Sequence, residues 1–174
     1  MRAARDVGTL LRERARRLSL RERADDTAGM EQAVIFSIGG QRFGLPLSEV
    51  VYAARLQHLT PIPRVVPHYL GLTWMGGYLV TVLDVAVLLG LRDGGMRDVT
   101  TCVIGSCGGR QLGFGAELVM GIEDVPGSQI APLLAGDPRE AGASRLAFLG
   151  DHRVLLLDLG RLLARLDAST SARV

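Results

Sequence analysis

The chain writes one pattern twice. Residues 77–89 (GYLVTVLDVAVLL) and 151–163 (DHRVLLLDLGRLL) match at Val80/Val154, Val82/Leu156, Leu83/Leu157, Asp84/Asp158, Val85/Leu159, Leu88/Leu162 and Leu89/Leu163. A second pair precedes them, residues 40–50 (GQRFGLPLSEV) and 109–119 (GRQLGFGAELV), which share the opening Gly, an apolar residue, the next Gly and the closing Val. A duplicated small β unit is therefore expected, with equivalent side chains lining equivalent core faces. An enzyme built on such halves would show polar catalytic groups at the joint. Here the recurring positions are overwhelmingly apolar or Gly.

A chain of 174 residues, 48% hydrophobic and 22% charged, can bury a substantial core within one domain. All 20 basic residues are Arg. Residues 1–24 hold eight Arg against three acids, whereas residues 25–174 hold twelve Arg against fifteen acids. The positive charge thus belongs to an N-terminal arm, and the body offers no basic stripe for nucleic acid. No apolar run approaches the ~20 residues needed to span a bilayer, and the N-terminus lacks the apolar core of a signal peptide. A cytoplasmic protein without direct membrane insertion is expected. Two cysteines, Cys102 and Cys107, are too few for a disulfide framework or a four-ligand metal site.

In the arm, Val7, Leu10, Leu11, Ala15 and Leu18 fall on one face at helical spacing, with Glu13 and Arg17 one turn apart outside. Short β segments follow at 33–38, 42–47, 70–74 and 78–83, with a break at 60–67. The polar stretch 91–98 (LRDGGMRD) is the expected seam between halves. Segments 100–106 and 111–116 read as a hairpin, and strands are expected near 121–125, 146–149 and 154–158. A closing helix at 159–166 completes the domain. The predicted organisation is an arm at 1–29, a body at 30–168 and a tail at 169–174.

Candidate chemistry is sparse. His58, His68 and His152 are scattered, with no His-x-x-x-His or Glu-x-x-His spacing. Ser48, Glu49 and Asp84 lack a Gly-x-Ser-x-Gly elbow. The pairs Gly39-Gly40, Gly76-Gly77, Gly94-Gly95 and Gly108-Gly109 lack the Gly-Lys-Ser/Thr ending of a phosphate loop and read as turns. Asp84 and Asp158, each where a strand passes into an apolar helical stretch, read as N-cap or turn carboxylates. No cofactor and no metal site is expected.

These segments, in this order, carry a family resemblance: Ala33 to Ile38, Gly44 to Val50, Ile62-Pro63, Tyr69 to Leu72, Gly77, Val80 to Asp84, Gly113 to Val119 and Leu155 to Leu159. From about Met30 to Leu166 the chain resembles the CheW family of bacterial chemotaxis coupling proteins. The resemblance implies a mainly β fold of two intertwined, SH3-like five-stranded β-barrel subdomains around a shared core, with a short C-terminal helix. It also implies a noncatalytic adaptor that binds the cytoplasmic tip of methyl-accepting chemoreceptors, the regulatory domain of a CheA-type histidine kinase and other CheW-like proteins.

Departures from the family pattern converge on one groove. Family members usually carry Asn-Leu-Arg-Gly where this chain has Trp74-Met75-Gly76-Gly77, so Gly76 stands where Arg is expected. Tyr52 stands where an acidic residue is usual, and the spacing from Pro67 to Gly71 is one residue short. The resemblance assigns the receptor-facing groove to Val50, Tyr52, Ala53, Trp74, Met75, Gly76 and Leu83. Tyr52 and Trp74 either anchor a partner helix or fill the inter-barrel core. Three functional readings follow: a divergent adaptor with one array contact weakened, an ordinary coupling protein, or a β-barrel protein that binds a small ligand or, through its arm, a membrane surface.

Overall fold

The central strands of this chain bury both faces, and that sets the architecture. In the computed structural model, which describes residues 29–63, 66–94, 98–133, 137, 139 and 142–171, eleven strands form two sheets. The first half contributes β1 (Met30–Ile38), β2 (Gln41–Pro46), β3 (Val50–Arg55), β4 (Tyr69–Met75), β5 (Tyr78–Leu83) and the short helix α1 (Val85–Leu88). The second contributes β6 (Thr101–Cys107), β7 (Arg110–Ala116), β8 (Leu118–Pro126), β9 (Ile130–Pro132), β10 (Ala143–Leu149), β11 (His152–Leu157) and α2 (Leu159–Ser171). One sheet runs β8-β1-β2-β11-β10-β9 and the other β3-β6-β7-β5-β4. The fold is mainly β, as expected, with three-residue β9 making six strands where five are predicted.

The seam at 91–98 separates the sequence halves but not the sheets. The hairpin β1-β2 of the first half joins a sheet otherwise built from the second, and β6-β7 joins β3, β4 and β5. The joints are parallel pairings, Leu156 beside Gly44 and Val82 beside Gly113. The repeated Gly has a packing cause: a Cβ on Gly44 would lie 2.8 Å from Leu156 Cδ2, and one on Gly113 2.8 Å from Cys102 Sγ. Real Cβ atoms do not approach so closely, so glycine lets the strands meet.

Alternate side chains of each central strand enter different cores. Val34, Phe36 and Ile38 of β1 enter the main core between the sheets, while Ala33 and Ile35 pack under the six-stranded sheet with Val154 and Leu156. In the other sheet Leu83 and Val103 face the main core, while Val80, Val82, Cys102 and Ile104 form a third cluster. Rings from both sheets meet in the middle: Phe36 lies 5.8 Å from Phe43 and 6.2 Å from Phe114. Leu159, Leu162, Leu163 and Leu166, one face of α2, close this core beside Val85 and Leu88 of α1. Burial on both faces explains why these strands read as continuous apolar runs.

Several expectations are adjusted. Strand β3 is not predicted by the sequence pattern, and α2 runs to Ser171, beyond the predicted helix end and into the predicted tail. The amphipathic pattern of Val7 to Leu18 lies outside the described residues. Asp84 and Asp158 behave alike: Asp84 Oδ1 accepts from the Val87 N–H (3.1 Å) and Asp158 Oδ1 from the Arg161 N–H (3.0 Å), each capping the helix after its hairpin. The environments differ. Asp84 is 1% exposed and paired with Arg92, whereas Asp158 is half-buried beside Arg161.

Candidate partner-binding site

The β4-β5 hairpin turns at Gly76-Gly77, both with positive φ (56° and 84°). Cross-strand pairing sets Trp74 opposite Leu79 and Met75 opposite Tyr78. Trp74 and Leu79 point outward, 71% and 59% exposed, while Met75 is buried in the cluster under this sheet. Trp74 therefore does not fill the inter-barrel core. Next to the turn, β3 pairs with β6, Tyr52 opposite Ile104, and a bulge between Val50 and Tyr52 changes which way the strand faces. Val50 packs against the main core, and Tyr52 against the cluster containing Met75 and Cys102.

The two positions at which the resemblance leads to an expectation of charge, Tyr52 and Gly76, touch each other. A Cβ on Gly76 would stand 2.7 Å from Tyr52 Oη and 3.1 Å from Cζ. The Tyr52 hydroxyl is buried, with no hydrogen-bond partner among the described residues. Burial, and then the neighbouring Cys102, pushes its phenol pKa up, so it stays protonated. Around this contact lies a shallow groove of about 230 Å³, lined by Tyr52, Ala54, Arg55 and Gln57 on one side and Trp74, Met75 and Gly76 on the other.

Of the predicted site residues, Tyr52, Trp74, Met75 and Gly76 line that groove, and exposed Ala53 adjoins it on β3. Two do not belong. Leu83 is fully buried in the main core, and Val50 is half-buried against it. Sequence reasoning missed Ala54, Arg55 and Gln57 in the groove and Tyr78 and Leu79 on the hairpin beside it. A signal for Leu79 existed: its counterpart in the repeat is Arg153, a residue that marks the outward face.

Burial pushes the Cys102 thiol up to about 12, which leaves it protonated and unreactive. His68 packs at a tilt against Tyr69, ring centroids 4.5 Å apart, while His58 and His152 are exposed and far apart in sequence. Among the described residues no three His, Cys, Asp or Glu side chains gather where a metal could bind, and no helix is long and apolar enough to cross a membrane.

Residues 32–167 match the CheW-like domain family. The chain belongs to that family. Among curated relatives, this CheW-like protein is 31% identical to protein FrzA of Myxococcus xanthus over 103 residues, covering 59% of this chain and 64% of FrzA. It thus spans just under two thirds of that relative's length. It is 24% identical to chemotaxis protein CheW of Klebsiella aerogenes over 143 residues, 81% of this chain and 86% of that protein. The scaffolding protein TtCheW from Thermoanaerobacter tengcongensis shares the fold, with a TM-score of 0.62 at 19% identity over 74% of this chain and 88% of that one.

Proposed function

We propose that this CheW-like protein is a noncatalytic scaffold of chemosensory signalling that takes a helix of a chemoreceptor's cytoplasmic tip on the Trp74 face and couples weakly to a CheA-type histidine kinase. The observation that carries this reading is the contact of Tyr52 with Gly76, which leaves an aromatic and a bare turn where the family usually has a charged pair. Exposed Trp74 and Leu79 side by side suit the apolar stripe of a helix, with residues at i, i+3 and i+4 laid across them. Trp and Tyr supply most of the energy at interface centres, whereas charged pairs mainly set partner choice and association rate. Losing the pair while keeping the aromatics therefore preserves helix packing and removes polar selection. In this reading the protein is cytoplasmic and reaches the array through its partners.

The test is binding of the full chain to a receptor-tip hairpin and to a kinase regulatory domain, measured in the same buffer. The expected result is clear receptor binding with kinase binding at least about tenfold weaker, a difference of ~1.4 kcal/mol. Equal affinities would return the protein to ordinary coupling between receptor and kinase.

A further inference from the structure

We propose that the Arg-rich arm, residues 1–28, docks on the protein's own body, in a groove that opens where the arm joins β1. This groove, about 460 Å³, is lined by Glu31 and Gln32 of β1 and by Pro46, Leu47 and Ser48 at the end of β2. Its apolar side is Leu47, half-buried against the main core, and Met30, 49% exposed, immediately precedes groove-lining Glu31.

Three observations select the arm as the occupant. The first is position: the described chain begins at Gly29, two residues before a groove-lining side chain. The eleven residue steps from Leu18 to Gly29 can span roughly 36 Å when extended, so the apolar positions Leu10, Leu11 and Leu18 can reach the groove. The second is charge. Residues 1–24 carry eight Arg against three acids, while the groove is lined by Glu31 and by Gln32, whose Nε2 donates a 2.9 Å hydrogen bond to Asp124 of the neighbouring strand β8. Glu31 is already paired with Arg145, but no Arg lies within ion-pair distance of Asp124 among the described residues. The third is pattern: the arm's apolar residues recur at helical spacing, leaving an apolar face for Leu47 and Arg side chains for Asp124 beside Gln32. A tethered segment also needs little intrinsic affinity, because a short linker holds it at millimolar effective concentration.

The experiment uses the full chain carrying Ser48→Cys and Cys107→Ser, with a nitroxide on residue 48, which is exposed. Amide signals of Leu10, Leu11 and Leu18 should lose about twofold or more in intensity relative to the reduced label. Leu10→Asp with Leu11→Asp should restore the signals while the body spectrum stays unchanged. Undiminished arm signals overturn the proposal. So does broadening that appears only on mixing nitroxide-bearing chains with isotope-labelled chains that carry no nitroxide, which makes the occupant a second copy. Broadening that appears only with anionic vesicles overturns it too, and makes the arm a membrane element.

Discussion

A side chain on residue 76 and the ring of Tyr52 compete for one space, since a Cβ there would stand 2.7 Å from the Tyr52 hydroxyl oxygen. Residue 76 also has φ of +56°, where an L residue is strained. Gly76→Ala should therefore destabilise the protein by about 1–3 kcal/mol, through left-handed strain and crowding together. Tyr52→Phe removes the atom that is hit and should recover part of the loss. In urea unfolding of both single variants and the double variant, a coupling of at least ~0.5 kcal/mol is expected. Strictly additive losses would mean the two residues do not share this space.

Leu83 and Leu157 are equivalent in the repeat and both fully enclosed by the main core. Leu83→Asp or Leu157→Asp would bury an unpaired carboxylate at a cost of several kcal/mol, against a net stability of about 5–15 kcal/mol for a typical domain. Loss of the cooperative thermal transition, or a large fall in its midpoint, is expected for each. An unchanged transition would show that the strand faces are assigned wrongly.

Asp84 and Asp158 cap equivalent helices but should differ sharply on removal. Asp158→Ala loses an N-cap in a half-exposed setting, about 1 kcal/mol. Asp84→Ala loses the cap and also strands the largely buried Arg92, about 3–5 kcal/mol. Equal losses in denaturant titrations would show that Arg92 finds other solvation.

How far the sequence can be read follows from how local each relationship is. The Gly-Gly hairpin turns and the Asp caps are decided within a few residues, and β5 falls at the predicted bounds. Strand β3 is missed because only Val50-Val51-Tyr52 favour a strand before Ala53-Ala54-Arg55, too short a run to stand out, and its strand state depends on pairing with distant β6. Leu83 escapes correct placement for a related reason. When both faces of a strand are apolar, alternation no longer says which face meets the shared core, so Leu83 and its neighbour Val82 cannot be told apart. The exchange of hairpins between halves is longer-range still, since Gly44 meets Leu156 only in the folded chain.

Glu49 supplies a pH test. Its pKa is raised, first by burial and then by the Asp158 carboxylate, against a lowering hydrogen bond from the Leu159 N–H. A carboxyl whose folded pKa exceeds its unfolded value binds more protons when folded. Its contribution to stability therefore falls as pH rises from the ordinary carboxylate range through the raised value, and the full penalty persists at neutral pH. Glu49→Gln keeps an acceptor for Leu159 and removes the charge, so it should raise the melting temperature at pH 7, with the gain shrinking in acid below the ordinary carboxylate pKa. A gain that grows in acid would reverse the assigned direction.

Trp74 separates binding from folding. With 71% of its surface exposed, Trp74→Ala should leave the melting temperature nearly unchanged, because surface substitutions away from special features stay within about ±0.5 kcal/mol. As an interface anchor it should nonetheless weaken receptor-tip binding by about 1–3 kcal/mol. The complementary gain-of-function test is the pair Tyr52→Glu and Gly76→Arg. A guanidinium side chain at position 76 can be placed only when Tyr52 is also replaced, and the backbone there still bears the left-handed strain, so the double variant should lose ~1–2 kcal/mol of stability. A restored charged pair should nevertheless increase association with a kinase regulatory domain, chiefly through the on-rate, and more strongly at low salt. Kinase binding unchanged by the pair, together with receptor binding untouched by Trp74→Ala, would remove the Trp74 face from both contacts.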